Sequence, residues 1–247
     1  MSEIDSITNE HNDELDPLGS VSRSKLHFFW IADCSGSMAA QGKIEALNNA
    51  IQECIPATKE AAENNPFADM VVRAISFSNG ARWHIEAETP VESFSWKDLS
   101  PGGVTDLGAA IRLLSSELQP EKMGRRALPP VLVLLSDGAP TDEWEKELNA
   151  FNNTGWGRPG RTVRIGVAIG QDANKDVLAQ FTGNEETVFE ANNAQRLADL
   201  IKWASVTLSK YASSGASQID PTPGSGPSLP PPPPMPEEDE HDDLELW

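Results

Sequence analysis

Residues 26–38 read LHFFWIADCSGSM: an apolar run broken only by His27, an aspartate, then a loop of small hydroxyl and glycine residues. A run that does not alternate suits a strand covered on both faces. A polar, Gly-containing loop at the carboxyl end of such a strand is where open α/β sheets place ligands. Outward from this stretch, residues 43–65 repeat apolar side chains at helical spacing (Ile44, Leu47, Ala50, Ile51, Cys54, Ile55), and Pro56 predicts a kink or break after Cys54. MVVRAISFS at 70–78 reads as a second strand and ARWHIEAET at 81–89 as a half-exposed partner, joined by Asn79-Gly80, a strong hairpin turn signal.

Further along, residues 104–118 carry Leu107, Ala110, Ile111, Leu114 and Leu118 on one helical face. VLVLLSD at 131–137 is the most apolar strand and belongs in the middle of the sheet. DEWEKELNAF reads as a helix with early acids suited to its dipole, TVRIGVAIG as a strand, NKDVLAQF as a short helix, TVFEA as a last strand, and 194–211 as a closing helix. Strands alternating with helices predict an α/β fold. Its sheet is doubly wound, Rossmann-like and mostly parallel, with one antiparallel edge strand.

The ends differ in kind. Of the formal net charge of −19, the stretch 26–219 carries only 24 acids against 17 bases. Residues 1–24 are polar, acidic and aperiodic and read as disordered, leaving one domain over 25–211. Residues 212–247 read as a flexible linker, a stiff polyproline spacer (LPPPPPMP) and an acidic terminus, EEDEHDDLELW. Solubilisation is one use for that terminus. Leu244, Leu246 and Trp247 give it the look of a docking motif for a partner or a neighbouring chain, since buried Trp anchors dominate many interfaces. No clustered Lys and Arg suit nucleic acid or an anionic membrane, and no apolar run is long enough to cross one. Without a secretory signal the cytoplasm is the expected location. Cys34 and Cys54 make no disulfide framework, and Cys54 reads as a core thiol.

Three loops at carboxyl ends of strands carry hard oxygen groups: Asp33-Cys34-Ser35-Gly36-Ser37, Gly102-Gly103-Val104-Thr105-Asp106 and Ser136-Asp137-Gly138. Singly each is weak, because a lone Asp after a strand is often a helix cap. Together, two carboxylates and three hydroxyls (Asp33, Ser35, Ser37, Thr105, Asp137) suit Mg²⁺, with Mn²⁺ or Ca²⁺ as substitutes. Zn²⁺ suits the set less, because Cys34, the one nearby thiol, falls between ligand positions and points away. Gly36 and Gly102-Gly103 relax the backbone around the ion. Asp106 and Asp142 read as first-turn or capping acids of their helices, His27 as a satisfied core histidine and His84 as solvent-facing. Met38, Trp83 and Trp144 either pack in the core or rim the metal face, Met38 and Trp144 being the candidate partner contacts.

On these motifs the chain resembles von Willebrand factor A domains with a complete metal-ion-dependent adhesion site: D-x-S-x-S at Asp33, Ser35 and Ser37, then Thr105, then Asp137. The resemblance covers roughly 26–211. It implies a non-enzymatic, metal-dependent adaptor in which a partner's Asp or Glu completes the metal shell. DCSGSM, KIEALNNAI, ISFSNGARW, GGVTDLGAAI, LLSDGAPTDEW and IKWASVTLS narrow it to a likeness with the bacterial TerY-type subgroup. That subgroup implies stress response and tellurite resistance, with a PP2C-type phosphatase and a protein kinase as associates. The cysteine-rich zinc segment of some relatives is absent. Two alternatives stand beside this reading. One is a partner in trans of an AAA+ ATPase of the MoxR or chelatase type. The other is a haloacid dehalogenase-like phosphotransferase, which needs an acid where Ser35 stands. No G-x-x-x-x-G-K-[ST], G-x-G-x-x-G or G-x-S-x-G motif supports catalysis.

Overall fold

A computed structural model describes residues 23–124, 126–214 and 229–234. The acidic amino-terminal segment and the terminal acids with Leu244, Leu246 and Trp247 lie outside the described residues. Six strands form one sheet: β1 (Ser24–Asp33), β2 (Ala68–Ser78), β3 (Gly80–Pro90), β4 (Val131–Ser136), β5 (Val163–Ile169) and β6 (Val188–Ala191). Their spatial order is β3-β2-β1-β4-β5-β6. All neighbours pair in parallel except β2 and β3, the hairpin turning at Asn79-Gly80 with Gly80 at φ +74. The two non-alternating runs, β1 and β4, lie side by side at the centre, Phe28 opposite Val131 and Ala32 opposite Leu135.

Neighbouring residues of each central strand serve different cores, as the pleat demands. Phe28, Trp30, Val133 and Leu135 pack under α1 (Lys43–Glu63) and α6 (Ala194–Trp203). Phe29, Ile31, Leu132 and Leu134 pack under α2 (Leu107–Glu117), α4 (Trp144–Asn152) and α5 (Lys175–Thr182). A one-turn helix, α3 (Pro120–Met123), follows α2 and has no counterpart among the expected elements.

Pro56 does not break α1, which runs through it for 21 residues. Proline removes the donor to the carbonyl of Gln52, but Gln52 and Pro56 both lie on the exposed face, where solvent can satisfy that carbonyl. The buried face keeps its bonds and adds Thr58 Oγ1 donating to Cys54 O at 2.8 Å. The closing helix passes from α6 through a π-helical turn at Ala204–Leu208 into α7 (Ser209–Ser213).

Over residues 229–234 the polyproline stretch lies against the domain. Leu229 packs against the α1/α6 core, and Arg196 Nη1 donates to the carbonyls of Pro233 (2.7 Å) and Pro234 (3.2 Å).

Candidate metal centre

All three oxygen-bearing loops sit at the carboxyl edge of the sheet, because β1 and β4 run parallel and α2 begins beside them. Asp33, fully buried, ends β1. Its Oδ1 accepts the N–H of Ser35 at 2.8 Å and its Oδ2 the hydroxyl of Ser136 at 2.6 Å. Ser35 and Ser37 share a hydrogen bond at 2.9 Å, and Ser37 Oγ donates to Asp137 Oδ1 at 2.7 Å. Thr105 joins through Gly138: a Cβ there would lie 3.5 Å from Thr105 Oγ1 and 3.6 Å from Ser37 Oγ. A chain of short contacts thus links the three loops at one edge of the sheet.

The loops are tied by backbone as well. Gly36 N–H donates to Gly103 O at 3.0 Å and Gly102 N–H to Cys34 O at 2.9 Å. Gly103 sits at φ +85, and any Cβ there would stand 2.7 Å from the Asn79 side chain. That side chain accepts the N–H of Val104 at 3.1 Å. Gly80 N–H donates to Asp106 Oδ2 at 2.7 Å and Asp106 N–H to Ser78 O at 3.0 Å. The hairpin turn and the Thr105 loop thus hold each other.

The donor set fits a hard divalent cation. Among the described residues no three His, Cys, Asp or Glu side chains converge as a metal cluster, so hydroxyls must supply most of the ligands. Cys34 points to the core, its thiol donating to Phe77 O at 3.3 Å. Burial pushes the Asp33 carboxyl up, against hydrogen bonds from Ser136 and Ser35, and the charge of Asp137 adds to the rise. Two buried carboxylates this close call for positive charge beside them.

Part of that charge is built in, and the sequence reading missed it. Lys43, first residue of α1 and only 2 % exposed, donates from Nζ to Asp137 Oδ2 at 3.0 Å and to Asp172 Oδ1 at 3.1 Å. Burial pulls its ammonium down, but the two aspartates outweigh that and hold it above the usual lysine range. Asp172, largely exposed, is held below the ordinary carboxylate range by the same bond. A signal did exist: Lys43 shares its helical face with Leu47, Ala50 and Cys54, all buried.

The proposed rim contacts fare differently from the ligands. Met38 is fully buried beneath the Gly36–Gly42 3₁₀ turn, and Trp144 is 8 % exposed in the α2/α4 core, so neither offers a face to a partner. Both follow apolar preference: Met38 closes the α1 core, and Trp144 fits because Gly108 leaves no side chain between α2 and α4. Asp142 is a capping acid, though for α2 rather than its own helix. It accepts the N–H groups of Gly108 and Ala109, each at 3.0 Å. His27 is buried but not satisfied. Among the described residues neither ring nitrogen has a hydrogen-bond partner, and Glu88 Oε1 stands 3.6 Å from Nδ1. His84 is half-buried against Trp96 and bonded to Lys97 O at 2.7 Å, not simply solvent-facing.

Comparison with known proteins adds the following. Residues 29–203 match the sequence profile of the von Willebrand factor type A domain. No curated protein matches the chain. Among solved structures, the chain is similar to proximal thread matrix protein 1 from the mussel byssus with a zinc-occupied MIDAS motif (TM-score 0.56, 15% identity, 76% of this chain and 48% of that one). It is also similar to the ArnB paralog VWA2 from Sulfolobus acidocaldarius (TM-score 0.53, 19% identity, 72% and 44%). A third is the pilus adhesin SpaC from Lactobacillus rhamnosus GG (TM-score 0.57, 12% identity, 77% and 31%). At these identities the likeness concerns the fold alone, and the chain spans less than half of each of these structures.

Proposed function

Because the chain belongs to the von Willebrand factor type A domain family, we propose that it is a non-enzymatic adaptor whose five loop side chains hold a divalent metal that grips a partner's Asp or Glu. What supports this reading is the hydrogen-bonded chain Ser35–Ser37–Asp137, with Asp33 bonded to the Ser35 N–H and Thr105 beside Gly138. When bound, the cation would supply an open coordination position for an incoming carboxylate.

The chain's own groups do the positioning. Ser136 and the Ser35 N–H fix both oxygens of Asp33, while Ser37 and Lys43 fix both oxygens of Asp137. With Lys43 offset by Asp172, two buried carboxylates remain to balance a dication. Mg²⁺ is our choice because every donor is oxygen and the Cys34 thiol is turned away. Mn²⁺ and Ca²⁺ accept the same donors, and zinc, present in the mussel protein, belongs in any titration as competitor. The TerY-type motifs favour a bacterial, cytoplasmic stress-response assembly, with a PP2C-type phosphatase and a protein kinase as the partners to try first. Leu244, Leu246 and Trp247 remain candidate docking residues for that assembly.

The test is Asp33→Ala together with chelation. Isothermal titration should show Mg²⁺ binding lost in the variant while the circular dichroism spectrum is kept, and partner capture should vanish in excess chelator. Undiminished capture under chelation would refute the mechanism.

A further inference from the structure

On the face opposite α2, a groove lies between the carboxyl half of α1 and the α6–α7 helix, and it is occupied by this chain's own residues 229–234. The occupant has a register. Leu229, Pro230, Pro232 and Pro233 are half-buried, whereas Pro231 and Pro234 are exposed. Two residues in and one out, repeated, is the signature of a polyproline II helix, with three residues per turn, lying along a surface on two of its three ridges. Proline carbonyls have no N–H neighbours to compete for them, and a groove that reads this helix needs donors aimed at those carbonyls beside flat apolar or aromatic walls.

Both requirements are met. Arg196, only 6 % exposed, is the donor, bonding the carbonyls of Pro233 and Pro234. Trp203 supplies the aromatic wall, braced edge-on by Phe189 at 5.0 Å, and its indole N–H has no acceptor among the described residues. Ala57 and Ala61 keep the α1 side low. The fit is incomplete: a cavity of about 730 Å³ remains between the prolines and the helices. The groove thus keeps an unpaired donor and open space beside its present occupant.

We infer that the α1/α6 groove is a polyproline II-binding site, that residues 229–234 are its tethered ligand, and that an L-P-x-P-P-type proline-rich peptide binds there in trans when the tether is released. A stiff, preformed helix loses little conformational freedom on docking, which is why so few hydrogen bonds suffice. The inference is independent of the metal centre.

A fluorescent peptide of residues 227–236 titrated into the full chain, read by anisotropy, tests it. The unaltered chain should bind weakly, because its tethered copy competes at an effective concentration of the order of millimolar. The inward pair Leu229→Ala/Pro232→Ala should release the groove and tighten peptide binding at least about tenfold. The outward variant Pro231→Ala should match the unaltered chain. Adding Arg196→Ala to the inward pair should abolish the gain. Equal behaviour of the inward pair and the outward variant, or no binding by the inward pair, would overturn the inference. Should the Arg196 variant fail to fold, the contrast between the inward pair and the outward variant decides alone.

Discussion

Lys43 and Arg164 are both buried cations at the margins of the sheet, and the protein holds them in opposite ways. Lys43 faces two carboxylates at the carboxyl edge. Arg164, on β5, faces only dipoles: Nε donates to Thr162 Oγ1 (2.9 Å), Nη1 to Asn152 Oδ1 (2.9 Å) and Phe181 O (3.0 Å), and Nη2 to Gly157 O. Its guanidinium lies over the Phe151 ring at 4.6 Å. With no counter-charge, burial brings Arg164 down to about 10, whereas the aspartates push Lys43 up. The first arrangement ties charge to oxygens that can also serve an ion. The second uses charge only as a strong donor to gather α4, α5 and the turn at Gly155–Gly157 around one strand.

The widest gap between the two should open on removing Arg164. Arg164→Met strands several buried acceptors, and we expect a loss of about 4 kcal/mol of stability by urea unfolding. The Mg²⁺ affinity of the folded chain should not change. A change would mean that the two cations are not separate in role. Lys43→Met should cost about 3 kcal/mol, since Asp137 keeps its charge and loses its partner. It should also tighten Mg²⁺ binding at least about tenfold, because a positive charge has left the site. Weaker binding in calorimetric titration would recast Lys43 as a support for the ligands rather than a rival of the ion.

His27 extends the comparison to a buried base with no hydrogen-bond partner among the described residues, whose counter-charge, Glu88 Oε1, stands 3.6 Å away. Burial lowers it from 6.5 to about 4, with Lys25 and Arg73 helping and Glu88 opposing. As pH falls below 6.5 the unfolded chain takes up the proton first. Stability is therefore lost between pH 6.5 and 4, by about 2 kcal/mol from pH 7 to 4.5. That increment should disappear in His27→Leu, compared by urea unfolding at both pH values. Smallest of all, Asp142→Ala removes the cap that α2 borrows from the neighbouring loop, about 1–2 kcal/mol by thermal unfolding. A larger loss would show that the cap also steadies Thr105, two residues before α2.

The sequence made the frame legible because its signals were local. The non-alternating β1 and β4 runs and the Asn79-Gly80 turn landed where their patterns placed them. What was not legible depended on partners far along the chain. Lys43 became a site residue only when Asp137 and Asp172 folded against it, 94 and 129 positions away. Arg73 and Arg164, charges inside otherwise buried strands, were visible anomalies, but their partners, Glu117 for one and carbonyls for the other, were not. Asp142 looked like the cap of the helix it precedes, and only packing assigned it to α2. Pro56 misled because its cost depends on which face it occupies, and that face emerges only once α1 is docked.

The knot between Asn79, Gly80 and the Val104–Asp106 backbone has a mechanical meaning. The outermost strand and the loop bearing the only threonine of the oxygen set are one rigid lever. Thr105 therefore cannot swing outward without fraying the hairpin tip. A load applied along the sheet's open margin at β3 would be felt, without intermediate parts, at the loop that carries the Thr105 hydroxyl.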